Sequence, residues 1–147
     1  MSEDNVYTLT QPNDLNWRPS NLMQIPNADI LGSLASNAMG AKLWRFPPMS
    51  ASTLHRHVTS EEFYFVLEGV GRIRVGEETL TIEKYGSIHI PPEQLRQVFN
   101  DTESEVLWLM FGAPDDEIVP AEGGNPKDFY PLDPVQLPPE LDGVQWP

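Results

Sequence analysis

At 147 residues and 16.6 kDa, with 39% hydrophobic and 10% aromatic residues, the chain makes one domain with a packed core, not two domains or a disordered polymer. It has no cysteine, which excludes disulfides, thiolate metal sites and a cysteine nucleophile and fits a reducing compartment. Nine basic residues against 22 acidic ones, net −13, make nucleic acid or an anionic membrane an unexpected partner.

The N-terminal stretch MSEDNVYTLTQPND has neither the basic nor the apolar region of a signal peptide, and no apolar run approaches the ~18 residues of a membrane span. A soluble, cytoplasmic protein is the expectation. Residues 1–40 form an N-terminal arm, polar and partly irregular, interrupted by Pro12, Pro19 and Pro26. Within it ADILGSLASNAMG fits either a strand pair or a helical turn.

From Lys42 onward short strand-like runs alternate with turn residues. KLWRF (42–46) ends at Pro47-Pro48, STLHRHV (52–58) alternates, and EFYFVLEG (62–69) closes on a glycine. GRIRV (71–75) and ETLTI (78–82) meet across Gly76-Glu77 as a hairpin. SIHI (87–90), LRQVFN (95–100) and EVLWLMFG (105–112) follow. This pattern predicts an all-β barrel or sandwich over residues 41–112. Residues 113–147 form an acidic, Pro-rich tail. Residues 101–147 carry 11 acids and only Lys127, whereas residues 1–100 carry 11 acids and eight bases. Such a tail is expected to wrap a surface or extend into solvent rather than build a second core.

The chain has three histidines. His55 and His57 stand at i and i+2, so an extended backbone puts both rings on one face with Thr53, about 7 Å apart along the chain. Glu62, five residues on, heads the next strand, where its carboxylate can fold back towards the rings. Two imidazoles and one carboxylate make a three-ligand set for Fe, Mn, Ni or Zn. His89 alternates with Ile88 and Ile90 and is therefore expected on the opposite, outer face. Tyr64 shares strand parity with Glu62, either offering a hydroxyl to the same cavity or packing in the core. Trp108 and Met110 read as core or interface. Arg72 and Arg74 read as a solvated face, or as contacts for the acidic tail.

HRHVTSEEFYFVLEG resembles the first signature of the cupins, with His55, His57, Glu62 and Gly69 in register. GSIHIPPEQLRQVFN resembles the second, with Gly86, Pro91 and Asn100 in place. Three positions depart from the family pattern: Met49 and Glu93 replace usual glycines, and Arg96 replaces a histidine that is the fourth metal ligand. The resemblance covers residues 40–112 and implies a double-stranded β-helix barrel, a small jelly roll, commonly a homodimer. It also implies that Arg96 points into the barrel near His55, His57 and Glu62.

Arginine cannot ligate a metal, because its guanidinium stays protonated. Two arrangements remain open. In one, His55, His57 and Glu62 hold a divalent ion while Arg96 grips an anionic substrate. A unit cation 5–6 Å away costs each unit of the ion's charge about 3 kcal/mol at an effective dielectric near 20, unless an anion intervenes. In the other, Arg96 pairs with Glu62 and no metal binds; Gln94 and Gln97 are weak donors at best. The functions that follow are an enzyme on a small anionic metabolite (dioxygenase, isomerase or lyase) with Arg96 and Tyr64 as its catalytic side chains, or a metal-free small-molecule-binding module. A third is a structural partner whose acidic tail docks on another protein.

Overall fold

The alternating runs become strands because each turns its β-branched and aromatic residues to one face and its polar residues to the other. A computed structural model describes residues 6–31, 38–114 and 125–147. Its strands are β1 (Arg18–Pro19), β2 (Pro26–Asp29), β3 (Gly40–Phe46), β4 (Ser50–Ala51), β5 (Glu61–Glu68), β6 (Gly71–Val75), β7 (Glu78–Ile82), β8 (Ser87–Ile90), β9 (Arg96–Asn100) and β10 (Val106–Ala113). They pair antiparallel in two sheets, ordered β1-β2-β3-β10-β5-β8 and β4-β9-β6-β7. The chain is thus all-β, as expected. Phe46, Val66 and Trp108 from the larger sheet meet Ile73, Val98 and Phe99 from the smaller in one buried core.

Gly69 ends β5 with φ +82°, and a β-carbon there would lie 2.9 Å from the Glu105 carbonyl oxygen, so this turn excludes a side chain. The two family glycines that this chain lacks tell a different story. Met49 and Glu93 adopt φ +56° and +68°, so the left-handed turns survive and side chains tolerate them.

The chain departs from the sequence reading in one place. Residues 52–58 read as a continuous strand, but they form a single bridge, His55 to Arg96. The segment is extended, and its backbone donors go to different neighbours. His55 exchanges hydrogen bonds with Arg96 (3.0 and 2.8 Å), while the Leu54 and Arg56 N–H groups donate to the Pro134 and Phe129 carbonyls, both at 3.0 Å. A proline-punctuated neighbour cannot continue that ladder. In the arm, β1 and β2 add a short edge to the larger sheet, with Ala28 and Asp29 in β2; residues 32–37 lie outside the described residues.

The described part of the C-terminal segment lies on the barrel. Asn125 caps the short helix α1 (Pro126–Phe129), accepting from the Lys127 N–H at 3.0 Å. Phe129 and Leu141 are buried at 2% and 0% exposure. The Trp146 indole donates to the Met23 carbonyl at 2.7 Å. Arg74 reaches Glu140 of this segment at 3.5 Å, whereas Arg72 pairs with Asp101. No helix among the described residues is long and apolar enough to cross a membrane.

Candidate metal centre

Antiparallel register builds the site's wall. Gly40, Gly112, Glu62 and Ile90 form one row across β3, β10, β5 and β8, and Lys42, Met110, Tyr64 and Ile88 form the next. Gly112, the register partner of Glu62 on β10, sets no side chain of its own beside the carboxylate. A β-carbon on Gly112 would stand 3.4 Å from Glu62 Oε2 and 3.0 Å from Ser60 Oγ, so the carboxylate lies over this strand because the position is glycine.

His55 and His57 come from the bridged segment opposite. Their ring centroids are 5.2 Å apart, and the donor atoms of His55, His57 and Glu62 all lie within 4.8 Å of one another. Ligands at 2.0–2.2 Å from a common ion stand at most about 4.4 Å apart, so small side-chain adjustments would bring this set onto one ion. His55 Nδ1 faces the Thr53 carbonyl at 3.0 Å. Donation to that carbonyl fixes the tautomer and leaves the Nε2 lone pair available, the usual support of a ligating histidine.

Glu62 Oε1 is the meeting point of the site. The Tyr64 hydroxyl donates to it at 2.6 Å, His57 Nε2 stands at 3.2 Å, and Arg96 Nη2 at 3.5 Å. Arg96 is fully buried, and its three guanidinium nitrogens make no hydrogen bond. It stands beside the cluster, as the resemblance implies: on β9 of the smaller sheet its backbone bridges that of His55, and its guanidinium approaches Glu62 from there.

Burial lowers the His55 pKa from 6.5 to about 4, with His57 and Arg96 acting in the same direction against Glu62. The ring is neutral at physiological pH and ready to ligate. For Glu62 burial works the other way, raising the pKa, but the His57 hydrogen bond and the fields of His57, Arg96 and His55 outweigh it and hold the carboxyl at about 2. Burial first, then the Glu62 carboxylate, pushes the Tyr64 phenol well above its ordinary value, so it stays a protonated donor. The donor set thus presents two imidazoles and an ionised carboxylate, which fits a divalent ion.

The site opens into a cavity of about 680 Å³, within the size range of small-molecule sites. Tyr64, Trp44 and Met110 line it, as do Tyr130 from the C-terminal segment and Arg18 and Lys42. A larger groove of about 830 Å³ runs outside the barrel past Leu54, Leu95, Leu132 and Leu137. It contains no histidine, so chemistry rather than volume selects the inner cavity. Phe129 packs edge-on against His57, centroids 6.1 Å apart. Reading the sequence alone missed Phe129 and Tyr130, whose one signal was an aromatic pair in a polar segment. It also missed Lys42, which alternation places on the same face as Trp44 and Phe46. His89 lies on the outer face as expected, 2.7 Å from Glu61. Gln97 donates to the Ser52 and Gln136 carbonyls and Gln94 to that of Leu95, so neither amide nitrogen is turned to the cluster.

A family model described as the cupin domain matches residues 42–112. An uncharacterised protein of Methanocaldococcus jannaschii is 39% identical over 54 residues, 37% of this chain and 43% of that relative's length. A predicted oxalate decarboxylase from Thermotoga maritima superposes with TM-score 0.64 and 18% identity over 72% of this chain and 98% of that one. A Klebsiella pneumoniae protein with a double-stranded β-helix domain superposes with TM-score 0.58 and 17% identity over 66% and 82%. Two antiparallel sheets around one core, with an H-x-H…E cluster at the cavity floor, define a cupin-type barrel. The chain belongs to the cupin superfamily.

Proposed function

We propose that this cupin binds a small anionic metabolite in its barrel cavity, above a divalent ion held by His55, His57 and Glu62. The observation that carries the reading is the convergence of the three donors within 4.8 Å at the cavity floor. When bound, the ion would act as a Lewis acid on an oxygen of the ligand. Thr53 keeps the His55 lone pair exposed, and Tyr64 holds its proton against Glu62 Oε1. Arg96 is a positioning residue, because its charge, 3.5 Å from Oε1, adds to that of His57 in keeping Glu62 ionised. Fold neighbours include a predicted oxalate decarboxylase and DMSP lyases, and so wide a range leaves the reaction open.

A second reading is favoured by the Arg96–Glu62 approach of 3.5 Å: a metal-free binding module in which the guanidinium supplies the charge of the ion. Elemental analysis of untagged protein prepared without chelator, beside a His57→Ala control, decides between them. About one Fe, Mn, Ni or Zn per chain, absent from the control, supports the metal centre. No metal even after incubation with excess ions leaves the metal-free module. The proposal extends to a homodimer, since Phe63 is 39% exposed on the outer face of β5 and stacks with Phe65. Light scattering that returns 16.6 kDa rather than twice that mass would remove this part.

A further inference from the structure

With nine bases among 22 acids, a cation without a carboxylate partner is an exception in this chain. Arg45, Arg72, Arg74, Lys84 and Arg96 are ion-paired. Arg56 donates to the Asp128 carbonyl, and Lys127 is exposed on α1. The other two, Arg18 and Lys42, both line the inner cavity. Among the described residues neither side chain makes an ion pair or a hydrogen bond.

Strand parity explains how Lys42 comes to face inwards. On β3 it alternates with Leu43 and Arg45 and shares its face with Trp44 and Phe46, and all three of that face line the cavity. Its register partners are Asp29 on β2 and Met110 on β10. Asp29 Oδ1 accepts the Leu31 N–H at 2.9 Å, and no ion pair to Lys42 forms. An ammonium in no ion pair, flanked by Trp44 and Met110 and across the ladder from Asp29, which also lines the cavity, is a recognition point for one negative charge. Tyr64 lies in the same row two strands away, about 10 Å between backbone axes. The lysine stem shortens that gap to the span of a short-chain molecule.

We propose that Lys42 is the anion anchor of the cavity. It binds one carboxylate of a short dicarboxylate-like ligand whose other end meets the His55–His57–Glu62 cluster, and Arg18 adds positive charge at the rim. This rests on the reading of the cavity as a small-anion site and assigns the gripping role to Lys42 instead of Arg96. A carboxylate suits it better than a phosphoryl group, because one ammonium matches a single charge.

The test is calorimetric titration of the protein as purified with succinate and with neutral succinamide, metal content being measured on the same samples. The wild type is expected to bind succinate and not succinamide. Lys42→Met should weaken succinate at least tenfold with metal content unchanged, and Lys42→Arg should recover most of the loss. Lys42→Gln serves if the methionine variant does not fold. Equal binding of both probes, no binding of succinate, or wild-type affinity in the charge-removing variant overturns the proposal. Lys42-dependent succinate binding to protein that contains no metal overturns the metal reading alone. Metal present, with succinate binding indifferent to Lys42, overturns the anchor alone.

Discussion

The barrel strands and the C-terminal segment solve the same problem by opposite means. The strands satisfy their backbone groups in ladders such as β10 with β3, where seven consecutive residues pair from Val106 to Gly112. The C-terminal segment has almost no ladder and is held by separate anchors: Phe129, Leu141, the Trp146 indole and two carbonyls offered to residues 54 and 56. Regularity is therefore a poor guide to what belongs to the fold. The irregular segment also reaches the chemistry, since Phe129 packs on His57 and Tyr130 lines the cavity.

The strongest way to break this comparison is to remove residues 125–147. If the segment completes the fold, the barrel loses cooperative thermal unfolding, because the Leu54 and Arg56 donors lose their partners and Leu141 leaves its site. Leu141→Ala alone should cost about 3 kcal/mol in denaturant titration, the usual scale for a fully buried leucine. A truncated chain that melts within a few degrees of the full one would make the segment an appendage.

Next in size is the barrel floor. Glu62→Gln leaves the fully buried Arg96 without its counter-charge and should cost about 3 kcal/mol, with loss of bound metal. A variant as stable as the wild type would mean that Arg96 is neutralised in some other way.

The strands were legible in the sequence because period-two alternation survives in the structure wherever a ladder forms. The His55–His57–Glu62 cluster was legible because the spacing of two fixes one face of any extended chain, bridge or strand. The docking of the C-terminal segment was not, since its apolar anchors at 129, 141 and 146 follow no period that a helix or strand would impose. The run 52–58 misled for a related reason: its alternation is real, but half its partners belong to that unperiodic segment. Lys42 was hidden because a lysine on a strand ordinarily reads as solvent-facing, although its parity with Trp44 says otherwise.

The site in the barrel also makes stability depend on pH. In metal-free protein the His55 pKa is about 4 against 6.5 in the unfolded chain, so as pH falls below 6.5 the unfolded state takes up the proton first. Stability is complete above 6.5 and is lost progressively down to about 4, by at most about 3 kcal/mol. Glu62 adds a second loss, beginning near its ordinary value of 4.5 and continuing to about 2. Chemical denaturation across this range should show both declines, and His55→Gln should flatten the first while leaving the second. A profile unchanged in that variant would mean that His55 is not the group responsible.

The smallest effect concerns the turn that joins barrel to site. Glu93 holds φ +68°, and its N–H donates to the His57 carbonyl at 2.6 Å, so the strained residue helps to position a candidate ligand. Glycine there relieves the left-handed strain but gives the unfolded chain more freedom, and the two terms nearly cancel. Glu93→Gly should therefore be neutral or stabilising by up to about 1 kcal/mol, whereas Glu93→Val, β-branched at the same φ, should cost about 1–2 kcal/mol. An ordinary position would respond in the opposite order, with glycine the more harmful change. If that order is found, the turn is held by its glutamate side chain rather than by the backbone hydrogen bond to His57.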